Sequence, residues 1–298
     1  MKLVYSLMIR NLRVFTRDRL TVFFAMLAPL IMFILFLLFF RQTTANVIML
    51  YFQTATSADA YGACDAWLFA SVVTLSTFTS SLGMLNGFVE DRAVGRFSDY
   101  LVAPLERWQL TVGYILSTLI VSFLISVGLL VLGQIWALFG GQALLPPGTL
   151  VRALLCIFLS ALVFSSFNTL WVTFLPTPGA FAGYAIITGT AIGFVAFCYV
   201  PPQMLSPGLT NVLSCLPFAQ AAALVRDPMT NPGLERLIDT VPYDDIREWA
   251  GPMVRDSLGI SVEVGGHTLS NGLIVVILLA LTAVFSLIGS WRMGKIIR

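Results

Sequence analysis

The stretch FVEDRAVGRFSDYLVAPLERWQ, Phe88 to Gln109, puts seven charged side chains between two apolar runs, each long enough to cross a bilayer. Charge is scarce elsewhere. Charged residues make up 11% of the 298, hydrophobic residues 58%, and mean hydropathy is +0.89; an ordinary soluble domain has about 25% charged residues. The apolar residues fall in runs of about twenty, the length a helix needs to cross a hydrocarbon core about 30 Å thick. These features read as an all-α integral membrane protein, a single transmembrane domain over residues 1–298. The net charge of +2 says less than where the charges lie.

Six runs have the length and apolarity of spanning helices: Leu20–Phe40, Ala66–Val89, Gln109–Phe139, Ala153–Leu175, Gly179–Val200 and Leu269–Trp291. Trp67, Trp108, Trp136 and Trp291 sit near their ends, where indole suits the membrane interface. A seventh run, Gln203–Val225, is broken by Pro207 and Pro217 and reads as either a full span or a re-entrant pair of short helices. Loop charge decides between these. Lys2, Arg10, Arg13, Arg17 and Arg19 precede the first span; Arg92, Arg96 and Arg107 lie between the second and third; Arg292, Lys295 and Arg298 follow the last. The positive-inside rule places both termini and the charged loop in the cytoplasm, in a multi-pass protein of the cytoplasmic (inner) membrane. The number of crossings is then even, so Gln203–Val225 enters from the outer side and returns. Residues 226–268, rich in Asp and Glu, become a small extracytoplasmic cap. No cleavable signal peptide is expected, because the first apolar run is too long for one.

Residues 1–19 read as an amphipathic connecting helix. At 100° per residue Lys2, Ser6, Arg10, Arg13 and Arg17 fall in one sector opposite Leu3, Val4, Leu7, Met8, Leu12, Val14 and Phe15. Such a helix lies in the interface with its basic face toward water and lipid headgroups. It serves as a topology anchor or also as a collar that touches a cytoplasmic partner. In the charged loop, Ala93, Phe97, Tyr100 and Leu101 recur at helical spacing, which predicts a short helix from Glu90. Glu90 and Asp91 would open it, where the helix dipole favours acids, and Pro104 would stop it. Asp91, Arg92, Arg96 and Asp99 would form its polar face, making a two-faced peg tied to two spans.

The pattern from Glu90 to Leu110, with its acidic pair, Gly95, Leu101 and Pro104, resembles the cytoplasmic coupling-helix region of ABC-2 type permeases, the membrane subunits of ABC exporters. The rest of the chain is similar to that family too. PPQMLSPGLTNVLSCLPFAQAAALVRD resembles its outer-side re-entrant hairpin, with Pro207 and Pro217 at the breaks and Arg226 as the basic residue that ends it; Leu216–Pro217 stands where relatives often carry Asn–Pro. The resemblance implies six spans, a coupling helix over 90–104 and a hairpin over 203–225. It also implies two permease chains, identical or related, above two ATP-binding subunits. ATP and magnesium would be bound by those partners, with no cofactor held by this chain, which has no GxxxxGK[ST] motif. Glu90, Asp91, Arg92, Gly95, Arg96, Phe97, Tyr100, Leu101 and Pro104 would carry the ATPase coupling.

The spans hold no Asp, Glu, Lys or Arg away from their ends. An ion-coupled transporter usually keeps a titrating group at mid-membrane, so the pattern fits a path for something amphipathic, a drug, lipid or lipid-linked molecule, driven from elsewhere. The alternatives are an ion-coupled secondary transporter or a non-transporting membrane scaffold. Ser71, Thr74, Thr77 and Ser81 form a hydroxyl stripe in the second span, and Asn168 sits in the fourth; each reads as helix packing or as a mildly polar lining. His267 is the only histidine and makes no catalytic or metal set. Cys64, Cys156, Cys198 and Cys215 lack metal spacing; buried thiols are the ordinary reading, a Cys198–Cys215 pair the other. No nucleic-acid partner is expected.

Overall fold

One helix organises the chain because most of the other helices pack on it. In the computed structural model, which describes residues 2–39, 41–52, 56–96, 106–241 and 244–296, this is α4, Ser57–Ala93. It is 37 residues long, about 55 Å at 1.5 Å per residue. Thr56 caps its start by accepting the Asp59 amide at 3.2 Å. Several of its hydroxyls turn back onto their own helix, Thr74 to the Ala70 carbonyl and Thr77 to that of Thr74. Small side chains of this kind let neighbouring helices approach closely.

Around α4 stand α2 (Arg19–Phe39), α3 (Arg41–Tyr51), α5 (Arg107–Phe139), α6 (Pro147–Val172), α7 (Pro178–Val195) and α9 (Pro217–Asp239). α1 (Lys2–Arg17) lies mainly against α5, and α11 (Asn271–Ile296) against α6 and α5. α8 (Pro207–Ser214) precedes α9, and α10 (Asp244–Ser257) with a two-stranded hairpin, β1 (Glu263–Val264) and β2 (His267–Thr268), follows it. Prolines sit in the first turns of α6, α7, α8 and α9, where a missing N–H costs nothing. The end of the bundle that holds α1 is called proximal below, and the end that holds α10 distal.

Among the described residues, α4, α5, α6, α7 and α11 are long and apolar enough to cross a membrane, and α2 is apolar from Pro29 to Phe39. α8 and α9 are bent by 87°. Their turn reaches an aromatic cluster: Phe218 in the first turn of α9 lies 5.9 Å from Phe78, 5.8 Å from Phe164 and 5.1 Å from Phe167, ring centre to ring centre.

Several element boundaries differ from the sequence reading. α4 starts at Ser57, not Ala66, α6 starts at Pro147, not Ala153, and α7 stops at Val195, not Val200. Residues 41–51, expected as loop, are helical. α9 runs past Val225 to Asp239 despite Pro228 and Pro232. Arg226 therefore ends nothing. It lies inside α9, fully buried.

Arg226 binds where α7 ends. Gly193 accepts the amides of Cys198 and Tyr199 and Phe197 takes φ +54°, so the chain reverses and the last carbonyls face inward. The Tyr199 ring fills the reversal, and a Cβ at Gly193 would meet it at 2.2 Å. Arg226 Nη2 donates to the Ala196 and Phe197 carbonyls at 2.8 and 2.7 Å. Nη1 donates to the Gly259 carbonyl at 3.1 Å and Nε to Ser71 Oγ at 3.3 Å. The guanidinium lies over the Trp67 ring, whose N–H bonds the Leu258 carbonyl at 2.7 Å. One side chain thus joins α4, α7, α9 and the turn after α10.

Replacing Arg226 with alanine abandons three buried carbonyls at about 1–3 kcal/mol each. The R226A variant is expected to show a large fall in melting temperature in detergent, and R226K little better, because one ammonium cannot reach all three; a wild-type melting curve for R226A would contradict this account.

Candidate functional site

At the proximal end, α4 finishes in a cluster of polar groups. Asp91 sits in the last turn of α4, 4% exposed. Arg10 of α1 pairs with it, Nη1 to Oδ2 at 2.7 Å and Nη2 to Oδ1 at 3.0 Å. Arg96 donates to Oδ1 at 2.8 Å and the Tyr114 hydroxyl of α5 to Oδ2 at 3.2 Å. Beside it, Asn11 donates to Ser117 of α5 at 3.3 Å. The Phe88 ring meets Tyr114 edge-on at 4.9 Å. One carboxylate thereby joins α1, α4, α5 and the first residues of the charged loop. A buried carboxylate is tolerated because charge-assisted hydrogen bonds replace its water.

Local sequence explains how these groups meet. Leu7 and Phe15 on α1 are buried; Leu7 packs against Gly113 of α5, where a Cβ would meet it at 3.3 Å. That seating turns Arg10 inward. Arg13 and Arg17 stay exposed on the same helix, and Lys2 lies in its first turn. The basic face is therefore divided, with Arg10 committed to protein instead of headgroups. Gly95, at φ +75°, ends α4 in the left-handed conformation glycine adopts without strain, and the Arg96 amide closes the turn on the Asp91 carbonyl at 2.9 Å.

This corrects the expectation of a separate helix opening at Glu90. Glu90, Asp91 and Arg92 are the last turn of α4, because no cap interrupts the apolar run before them and Gly95 supplies the stop. Glu90 accepts the Asn86 amide group at 2.7 Å. Asp91, expected on an exposed polar face, is buried. Arg92 turns to the end of α6 and donates to the Thr173 and Leu175 carbonyls, both at 3.1 Å. Phe97, Tyr100, Leu101 and Pro104 lie outside the described residues.

The hydroxyl stripe faces protein throughout. Ser71, Thr74, Thr77 and Ser81 are buried, as is Asn168, which donates to Ser81 Oγ and accepts the Tyr184 hydroxyl at 3.4 Å. Ser71 accepts from Arg226 of α9, Thr74 and Thr77 bond their own helix, and Ser81 with Asn168 joins α4 to α6 and α7. Pro207 and Pro217 start α8 and α9. All four cysteines are free.

Sequence reasoning missed two further joints at the distal end. Asp65 takes a two-pronged bond from Arg41, both contacts at 2.7 Å, and accepts the Trp136 N–H at 3.0 Å. The hydrogen bonds to Asp65 hold the Arg41 guanidinium above its ordinary pKa. Asp227 binds Arg152 at 2.6 Å, Asn231 at 2.6 Å and Asn271 at 3.2 Å, joining α6, α9 and α11. Apart from Asn231 the partners lie on other helices, 24 to 75 residues away, and only the isolated Asp inside or beside an apolar run was a signal.

The fold and these joints define a polytopic helical membrane protein whose buried carboxylates, among the described residues, are held at the two ends of the bundle. A family model described as ABC-2 family transporter protein matches residues 47–292, and the chain belongs to that family of transporter permeases. Such permeases generally work with an ATP-binding subunit. Among the curated proteins, none matches the chain. α1, α2 and the first half of α3 precede the matched residues.

The Arg10–Asp91 pair is testable by a double-mutant cycle. Arg10→Ala and Asp91→Ala should each lower thermal stability in detergent, and together cost less than their sum, with a coupling of about 0.5–3 kcal/mol. Strict additivity would mean that the two side chains do not interact.

Proposed function

We propose that this chain is the membrane-spanning subunit of an ATP-driven exporter, moving an amphipathic drug, lipid or lipid-linked molecule across the cytoplasmic membrane with energy from a separate subunit that binds ATP and magnesium. Both termini and the charged loop face the cytoplasm, and two permease chains, identical or related, form the pathway.

The observation that carries this reading is the Asp91 junction. The loop from Val94 to Glu106 leaves from a carboxylate bound to α1, α4 and α5 and rejoins α5 through the Glu106–Gln109 capping box. A push delivered to its two ends acts on both flanking helices and on α1 together. Arg10, Asp91 and Arg96 set the loop's position, while Phe97, Tyr100 and Leu101 enter the partner's cleft and Pro104 fixes where the docking segment ends. The amphipathic cargo is supported by a groove of about 360 Å³ between α2, α4 and α5, with wholly apolar walls that include Leu30, Phe69 and Leu132.

Co-expression with the ATP-binding protein tests the assignment. Replacing Phe97 and Tyr100 together by alanine removes two anchors worth roughly 1–3 kcal/mol each. The double variant should insert normally, lose transport and lose most of the co-purifying ATPase; normal assembly and transport would refute the docking role. The topology has its own test: a single cysteine placed at position 244 should react with an impermeant reagent added from outside and not with one confined to the cytoplasm.

A further inference from the structure

Arg92 of α4 and Arg292 of α11 converge on the same three residues at the end of α6. Arg92 spends Nη1 on the carbonyls of Thr173 and Leu175, and the Arg292 guanidinium lies 3.7 Å from the centre of the Phe174 ring between them. Two like charges against one short segment repel unless an anion joins them. Among the described residues neither meets a carboxylate, and Arg292 Nε is buried with no partner at all. The acids nearest in sequence are committed elsewhere, Asp91 to Arg10 and Arg96, and Glu90 to Asn86. One turn beyond Arg292, the Lys295 ammonium stands 3.7 Å from the Trp291 ring centre.

We propose that Arg92 and Arg292, with Lys295 beside them, bind the phosphate of an anionic phospholipid headgroup at the proximal membrane surface. The guanidinium fork matches phosphate oxygens, and the unused donors of both arginines supply the bonds. The surroundings select a lipid over a soluble phosphate. Trp171, Phe174 and Trp291 are 43%, 45% and 62% exposed around the cations, an aromatic band of the kind that sits at headgroup level with its apolar faces toward acyl chains. The headgroup would bridge α4, α6 and α11 where each helix ends. This inference needs only the membrane-spanning fold and stands apart from the transport reading.

The test is lipid titration of the purified, delipidated full chain in neutral detergent, read by binding of fluorescent phosphatidylglycerol. The wild type should prefer it about tenfold over phosphatidylcholine. Arg292→Gln and Arg92→Gln should each weaken phosphatidylglycerol about fivefold, the effect of one basic residue near a membrane surface, and leave phosphatidylcholine unchanged. R292K should retain most of the preference and controls for folding. R236Q removes the same charge from the distal end and should change nothing. Equal affinity for the two lipids, or an R236Q effect as large as that of R292Q, would overturn the proposal. Displacement of the lipid by millimolar inorganic phosphate would reassign the cations to a soluble anion and overturn it equally.

Discussion

The last carbonyls of a helix that stops inside a membrane protein have no water to turn to, and here a single guanidinium receives them. α7 ends by reversing at Phe197, which points the carbonyls of Ala196 and Phe197 into the bundle; Arg226, fully buried on α9, binds both and the Gly259 carbonyl as well. Broken helices are tolerated at membrane depth only where protein satisfies their backbone. The bent α8–α9 pair can leave the line of a simple span because Arg226 binds the strand of chain that feeds it. Arg suits the task because its five donors are fixed in one plane; they meet carbonyl oxygens, the Ser71 hydroxyl and the Cys198 sulfur, with the Trp67 ring beneath.

The same economy governs the carboxylates. Asp65, Asp91 and Asp227 are each nearly buried, each meets at least one arginine, and each joins three helices. All three lie at ends of the bundle, so the bundle between them is held by apolar packing and small hydroxyl residues whose bonds are mostly local. A structure joined firmly at its ends and packed smoothly between them allows helices to shift as rods while their terminal contacts hold. That mechanical character fits a permease driven by a partner better than a transporter that carries protons through its own core.

α1 gains meaning in this setting. An amphipathic segment with a basic stripe is an ordinary membrane-surface helix when read alone. Seated on Gly113 and paired through Arg10 to Asp91, it becomes part of the joint from which the charged loop departs. The loop's glycine serves the same joint: Gly95 ends the long helix early enough for Arg96 to fold back on the carboxylate.

The membrane class, the helical composition, most of the spans and the family are legible from residues alone, because lipid excludes polar side chains, which leaves countable apolar runs, and demands an internally bonded backbone, which makes those runs helices. The prolines at 207 and 217 were legible for the same reason, as each marks where a helix can begin but not continue backward. The destination of the charges, by contrast, was set by packing in three dimensions. Asp91 read as the first turn of an exposed helix and is the buried last turn of another, because helix ends depend on where the chain finds its next partner. Arg226 read as the end of a hairpin and lies inside a longer helix, because its bonds go to carbonyls thirty residues away. Periodicity reports which face of a helix is apolar; it carries no information on which distant group will neutralise a charge.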